Sequence, residues 1–226
     1  MRQLLLVCGL NREAAVLRGS GLRPVVGGGS RSGLDERLAA LRPDTLCGVV
    51  SFGMAGALAP HLEAGDLVCP DRVGCEGGPE RAVSPAIIEQ WRARLAAELP
   101  PRVAGLLIGS DRPVLAAADK RRLAERSGAA ALDMESHVAA AYAAAHGLPF
   151  AVLRVISDSV DHTLPEVAGQ AMRPDGSVDV LRVLAGIGRD PGQIPGLIRT
   201  ARDAGRAFRT LRRVGGLLGP NLGLQL

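Results

Sequence analysis

Six short apolar segments rich in Val, Ile and Leu recur along the chain and alternate with segments of helical periodicity. They are LLLVCG (4–9), LRPVVGG (22–28), TLCGVVSFG (45–53), DLVCPDRV (66–73), RVAGLLIG (102–109) and FAVLRVIS (150–157). Helices are predicted at residues 33–41, 85–99, 117–126 and 135–146. Apolar strands interleaved with helices indicate a sheet covered on both faces. The sequence therefore predicts an α/β fold.

No linker rich in Ser, Pro and Gly interrupts this pattern before residue 173, so a single domain is predicted. We expect residues 1–173 to form its core and residues 174–226 to form a helical C-terminal extension of the same domain. The chain ends in GGLLGPNLGLQL, and we expect this tail to be less ordered.

Composition excludes several classes of protein. Of the 226 residues, 47% are hydrophobic and 22% charged, as in folded globular proteins. Only 2% are aromatic, so stacking platforms for single-stranded nucleic acid are not expected, and neither is a nucleic-acid partner. The net charge of +4 is concentrated between Arg199 and Arg213, where six arginines face one acid. Lys120 is the only lysine among 27 basic residues, which we interpret as codon usage with little functional meaning.

The cysteines predict a reducing environment. Cys8, Cys47, Cys69 and Cys75 include no C-x-x-C pair, and three of them lie in apolar stretches. We therefore expect a cytoplasmic protein with free thiols. The N-terminal residues lack the features of a signal peptide, and no apolar run approaches the ~18 residues of a membrane span.

Polar residues follow three of the predicted strands, at 10–13, 51–58 and 157–159, and the segment 131–136 opens a helix. Ligands of α/β sheets bind at the carboxyl ends of the strands, so these segments form the candidate site. Capping of helix first turns would explain the same acidic residues, and this alternative stays open. The histidines lack the spacing of metal ligands, so no metal is predicted.

Two linked motifs carry a resemblance to a known family. They are SFGMAGALAPHLEAGDLVCPD (51–71) and ALDMESHVAAAYAAAHGLPFAVLRVISDSVD (131–161). Over roughly residues 3–170 the chain resembles the purine nucleoside phosphorylase and nucleosidase superfamily, in the branch of the methylthioadenosine/S-adenosylhomocysteine nucleosidases. The resemblance implies a three-layer α/β/α sandwich with a mixed, twisted central sheet. It also implies a homo-oligomeric enzyme that acts on purine nucleosides without a cofactor.

Such enzymes cleave an N-glycosidic bond through an oxocarbenium-like ribosyl cation. The resemblance assigns Asp158 as the general acid that protonates N7 of adenine, supported by Ser157. Asp158 would have to keep a proton near neutral pH, which we expect partial burial to achieve. Glu135 would accept hydrogen bonds from the ribose hydroxyls, with Met134 under the sugar. Glu13 would position and deprotonate the attacking water.

The remaining substrate contacts follow from the same resemblance. The backbone near Val114 would meet the adenine edge, and Pro113 stands where an adenine-stacking aromatic residue is expected. Further contacts are assigned to Phe52, Gly53, Met54 and Asp111.

The nucleophile is either water or phosphate. Phosphorolytic relatives place an arginine before the Gly-rich turn and a Ser or Thr within it, where this chain has Ser51 and Met54. This difference favours hydrolysis. The candidate phosphate ligands that keep phosphorolysis open are Arg12, Gly28, Gly29 and Arg31.

The segment 73–85 is shorter than its counterpart in nucleosidases of small substrates, which would leave the 5′ side of the pocket open. With the basic C-terminal segment, this resembles the hopanoid-associated phosphorylase subgroup. The implied substrate is adenosylhopane, and the products are adenine and either ribosylhopane or phosphoribosylhopane. The alternatives are a methylthioadenosine/S-adenosylhomocysteine nucleosidase, a futalosine-type nucleosidase, and a non-enzymatic nucleotide-binding module.

Between Arg199 and Leu218 the arginines recur at i+3 or i+4, and apolar residues repeat on another face, which predicts a basic amphipathic helix. Its apolar face either packs on the core or, together with the arginines, meets anionic headgroups at the inner face of the membrane.

Overall fold

A computed structural model describes residues 2–17, 21–103, 105–167 and 190–224, together with residues 173, 175–177, 179, 185 and 188. The strands are β1 (Gln3–Cys8), β2 (Leu22–Val26), β3 (Leu46–Ala57), β4 (Leu67–Cys69), β5 (Arg72–Cys75), β6 (Arg81–Ala82), β7 (Arg102–Val103), β8 (Leu106–Gly109), β9 (Ala131–Asp133) and β10 (Phe150–Asp158). The α-helices are α1 (Asn11–Ala14), α2 (Arg31–Ala39), α3 (Pro85–Leu95), α4 (Ala117–Ser127), α5 (Ser136–Ala145) and α6 (Ile194–Leu218).

One mixed sheet contains all ten of these strands. Its main path runs β6-β5-β8-β9-β3-β10-β4-β7, and β1 pairs with both β2 and β3. The pairs β1 with β3 and β3 with β10 are parallel, whereas β9 is antiparallel to β3. Helix α2 packs with α5 and α3 with α6, and these helices flank the sheet. The predicted α/β fold with a mixed central sheet is confirmed.

Each of the six predicted strand segments contains a strand, but two of them are divided. Pro70 separates β4 from β5, because proline cannot donate to a ladder. The chain between β7 and β8 turns at Gly105, which has φ +57°. The short strands β6 and β9 were not predicted, and β9 corrects the prediction that residues 131–136 only open a helix.

Helix α6 is the basic amphipathic helix that was predicted. Its side chains Phe208, Leu211, Val214 and Leu218 are buried, and the helix packs against β10 and β3. The tail after α6 contains a 3₁₀ helix (Pro220–Gly223) in which Leu222 is completely buried, and our expectation of a less ordered tail stays a prediction. There the Trp91 indole N–H donates to the carbonyl oxygen of Leu222 at 2.9 Å. The predicted core boundary at residue 173 adjoins residues outside the described part of the chain, so the division remains a proposal.

Three observations concern the described residues alone. All four cysteines are free. None of the helices there is long and apolar enough to cross a membrane. No group of three or more His, Cys, Asp or Glu side chains in that part of the chain is arranged to hold a metal ion.

Candidate active site

A cavity of about 190 Å³ lies at the carboxyl ends of β1, β3, β9 and β10. This is the edge of the sheet at which the sequence predicts the site. The predicted site residues that line the cavity are Glu13, Met54, Val114, Met134, Glu135, Ser157 and Asp158. They lie at or beyond the ends of five strands, β1, β3, β8, β9 and β10, so the cavity exists only in the folded sheet.

Glu13 is held rigidly at one end of the cavity. It is 2% exposed, and its Oε2 accepts hydrogen bonds from the backbone N–H groups of Gly9 at 2.8 Å and Leu10 at 2.9 Å. Its Oε1 accepts from the N–H of Met54 at 2.8 Å. Glu13 therefore does cap α1, as the alternative interpretation held. Three of the roughly four lone-pair sites of the carboxylate are occupied, which leaves one for a water molecule.

A buried guanidinium gathers the acids at this end. We call Arg154 with Glu13, Asp133 and Glu135 the Arg154 cluster. Arg154 is completely buried on β10, and its Nη2 lies 2.6 Å from Asp133 Oδ2 and 3.6 Å from Glu135 Oε2. The same Nη2 donates to Ser51 Oγ at 2.6 Å. A single cation thus faces three carboxyl groups.

Burial shifts the pKa values of two of these acids upward. Burial raises the pKa of Glu135 to about 8; Arg154 opposes the shift, while the charges of Asp133 and Glu13 add to it. Burial also raises the pKa of Glu13, although Arg154 and the three backbone N–H donors lower it. The raised pKa favours the protonated form of Glu135, which can both donate to and accept from a vicinal diol.

A second charged group lies at the other end of the cavity. We call Lys120, Asp158 and Ser157 the Lys120 cluster. Lys120 is 1% exposed, and its Nζ donates a short hydrogen bond to Asp158 Oδ2. Asp158 Oδ1 accepts from Ser157 Oγ at 2.6 Å, so Ser157 supports Asp158 as predicted. Asp158 itself is buried, at 5% exposure.

Two predicted substrate contacts have other roles. Phe52 is completely buried within β3 and belongs to the hydrophobic core. Gly53 lies behind the cavity, where a Cβ atom would stand 2.6 Å from Glu13 Oε1 and 2.7 Å from Arg154 Nη1. Its φ of +151° also disfavours other residues. The absence of a side chain at Gly53 therefore makes room for the Arg154 cluster.

The charged residues that were assigned to phosphate and substrate contact other side chains of the protein. The Arg12 guanidinium stacks on the Phe208 ring of α6, 4.5 Å from its centroid. Arg31 Nη1 pairs with Asp111 Oδ2 at 2.9 Å, and both side chains are about half exposed. Asp111 Oδ1 also lies 2.9 Å from His137 Nε2. Neither predicted arginine is directed at the cavity, because each has a nearer partner.

A second cavity, of about 300 Å³, adjoins the first and shares Met54, Met134 and Asp158 with it. Gly28 and Gly29 line it, both with positive φ, and Thr200 and Ala204 of α6 complete its wall. Asp158 is the only ionisable side chain among the described residues that line this cavity. A group bound there would meet a mainly apolar surface.

Sequence reasoning missed both buried cations. Arg154 was visible within FAVLRVIS, because a charge inside an otherwise apolar strand needs buried partners. Lys120 was visible as the single lysine of an arginine-rich chain. We gave this little functional meaning, but Lys120 lies in the wall of the cavity.

A family model described as "Phosphorylase superfamily" matches residues 38–178, which include β3, β9, β10 and both cations. The chain belongs to the phosphorylase superfamily. This confirms the predicted superfamily and enzyme class, whereas the hopanoid-associated subgroup remains a prediction. No protein of curated function matches the sequence significantly.

Solved structures show the same phosphorylase-superfamily fold. The 5′-methylthioadenosine/S-adenosylhomocysteine nucleosidase of Helicobacter pylori, bound to a substituted pyrrolidin-3-ol, matches with TM-score 0.65 and 14% identity over 94% of this chain and 97% of that one. The S-adenosylhomocysteine nucleosidase of Streptococcus pyogenes with 5-methylthiotubericidin matches with TM-score 0.61 and 20% identity over 92% of this chain and 96% of that one. Futalosine hydrolase of Helicobacter pylori matches with TM-score 0.60 and 15% identity over 70% of this chain and 88% of that one.

Proposed function

We propose that the protein hydrolyses the N-glycosidic bond of a 5′-modified adenosine and releases adenine. The observation that supports this most is the placement of the two charged clusters in one cavity. Asp158 can serve the departing base, while Glu135 binds the ribose hydroxyls and Glu13 prepares the nucleophile. These are the three tasks that passage through an oxocarbenium-like ion requires. Met134 and Val114 also line the cavity, which supports their proposed contacts with the sugar and the adenine edge.

Water is favoured over phosphate as the nucleophile. Glu13 has one lone-pair site left for a water molecule, and a buried acid at that position repels a phosphate dianion. Arg12 and Arg31, which would have supplied cations, have partners elsewhere. Gly28 and Gly29 remain as backbone donors for phosphate, so phosphorolysis to phosphoribosylhopane is the alternative that the experiment below separates.

The second cavity supports a large apolar C5′ substituent, and we propose adenosylhopane as the substrate and ribosylhopane as the product. The wall formed by Met54, Leu115, Leu164 and Ala204 suits a hydrocarbon. A charged amino-acid group such as that of S-adenosylhomocysteine would find no cationic side chain among the described lining residues.

A membrane surface would deliver such a substrate, and we propose that α6 contacts it. Ile194 and Ile198 are 39% and 49% exposed at the start of α6, and the exposed Arg199 and Arg202 follow them. The same helix contributes to the wall of the second cavity. Each arginine near an anionic surface adds ~1 kcal/mol of binding. Co-sedimentation with anionic and neutral vesicles at low and high salt tests this, and salt-insensitive or absent binding would contradict it.

Adenine release tests the function. Purified protein is incubated with adenosylhopane in detergent, 5′-methylthioadenosine, S-adenosylhomocysteine and futalosine, with and without phosphate. We expect adenine from adenosylhopane at a rate independent of phosphate, and a ribosyl product that incorporates ¹⁸O from labelled water. Product mass increased by phosphate would establish phosphorolysis, and binding without turnover would establish a nucleotide-binding module. Light scattering checks the predicted homo-oligomer.

A further inference from the structure

All three ammonium protons of Lys120 are donated in hydrogen bonds at or close to Asp158. Its ammonium has three protons, and its Nζ donates to Asp158 Oδ2, to the carbonyl oxygen of His162 at 2.8 Å and to that of Ser159 at 3.2 Å. The side chain is 1% exposed although it lines the cavity. No proton of Lys120 remains for a direct bond to the substrate, so any effect on the reaction passes through Asp158.

The composition of the chain gives an independent reason to look at this residue. Basic positions are otherwise filled by arginine, and the one lysine of the sequence stands at a fully buried position in the site. Lysine and arginine differ here in two respects. Lysine places three donors around one point, and it can release a proton, whereas a guanidinium stays charged in proteins.

We propose that Lys120 positions Asp158 and supplies the proton that Asp158 passes to the leaving base. The inference rests on the proposed function. As the C1′–N9 bond breaks, its electron pair stays on the purine, and N7 takes a proton from the Asp158 carboxyl group. Asp158 obtains that proton from Nζ, which becomes a neutral amine. Water adds its oxygen to C1′ and gives a proton to Glu13, and exchange with solvent restores both groups.

Other ionisable groups face this pair and must be separated from it. His162 lies beside both Asp158 and Lys120; burial, then Arg199, lower its pKa from the ordinary 6.5, so it is neutral above that pH. Asp203 of α6 lies 3.5 Å from His162 Nδ1. In the Arg154 cluster, burial raises the pKa of Glu13 and raises that of Glu135 to about 8.

Two variants of Lys120 separate proton supply from charge. Lys120→Arg keeps a cation that cannot release its proton, so we expect kcat for the adenosine that the wild type cleaves to fall on the order of 10²-fold. Lys120→Met leaves Asp158 to hold its own proton. The ratio of the wild-type kcat to the Lys120→Met kcat should be smallest near pH 6. Above that pH it should rise by up to about tenfold per pH unit, because the protonated fraction of an isolated carboxylic acid falls that steeply. The wild type should stay active to higher pH.

A leaving group that needs no proton provides the matched control. With 4-nitrophenyl β-D-riboside both variants should retain rates within a few-fold of the wild type, and the pH profile of this substrate reports Glu13 and Glu135 alone. Thermal unfolding checks that each variant is folded. The proposal would be overturned if Lys120→Arg cleaved the adenosine as fast as the wild type. It would also be overturned if the ratio of the wild-type kcat to the Lys120→Met kcat did not change with pH. If the wild type cleaves no adenosine, the proposed function itself fails.

Discussion

The Arg154 cluster and the Lys120 cluster lie in the same cavity and are equally buried, yet their charges are balanced differently. Arg154 faces three carboxyl groups, whereas Lys120 faces one. At the first cluster burial raises the pKa of Glu135 to about 8, and the charges of Asp133 and Glu13 add to this shift while Arg154 opposes it. At the second cluster the Lys120 ammonium has a single acidic partner, Asp158. Both clusters are buried, and they differ in the number of carboxyl groups that share one cation.

Breaking the balanced pair should have the largest effect. In Asp158→Asn the amide keeps the shape but passes no proton, so adenine release should slow by ~10²–10⁴-fold. The buried Lys120 ammonium also loses its anion, a change that costs about 3–5 kcal/mol and lowers Tm. The double variant Asp158→Asn/Lys120→Met should recover part of that Tm without recovering rate. Turnover of Asp158→Asn within a few-fold of the wild type would refute the assignment.

Glu13→Gln tests the nucleophile end. We expect kcat to fall on the order of 10²-fold with a smaller change in KM, because an oxocarbenium-like ion needs only modest activation of water. Glu135→Gln is the matched comparison and should raise KM as well, since Glu135 holds the ribose. Initial rates over a range of substrate concentrations separate the two. An unchanged kcat in Glu13→Gln would point to phosphate as the nucleophile.

The raised pKa of Glu135 should also make stability depend on pH. Folded Glu135 keeps its proton up to about pH 8, whereas the unfolded residue loses it near its ordinary 4.5. Between these values the folded state binds more protons, so the free energy of unfolding falls as pH rises, by up to about 1.4 kcal/mol per unit. Denaturant unfolding at pH 5.5 and 7.5 should show a smaller decrease for Glu135→Gln than for the wild type. Equal decreases would mean that Glu135 is ionised throughout.

The exposed pair outside both clusters should matter least. Arg31 and Asp111 are each about half exposed, and such pairs contribute ~0–1 kcal/mol. Arg31→Gln should leave kcat unchanged with and without phosphate and shift unfolding by about 0.5 kcal/mol or less. A loss of activity that appears only in phosphate would reinstate Arg31 as a phosphate ligand.

The sequence predicted the fold well because apolar strand segments and helical periodicity are local signals. β6 and β9 were not predicted, because a strand of two or three residues is too short to show a hydrophobic periodicity. The divided segments could not be recognised from hydrophobicity alone, since Pro70 and Gly105 interrupt pairing without changing the apolar pattern.

The site was predicted less completely, for a different reason. Glu13, Glu135 and Asp158 lie at or shortly after the carboxyl ends of β1, β9 and β10, so the sheet carries them to one edge. The partner of a long side chain, by contrast, is chosen by tertiary contacts. Arg12 meets Phe208 on a helix near the other end of the sequence, and no spacing rule predicts that contact.

Burial of the only lysine has a practical consequence for chemical modification. Lys120 is 1% exposed, so the single side-chain amine of this protein is shielded from amine-reactive reagents while the fold is closed. A reagent in solution can acylate that amine only during openings of the site, and its rate of reaction reports their frequency. Mass spectrometry of one peptide would therefore measure local opening at the active site without any engineered label.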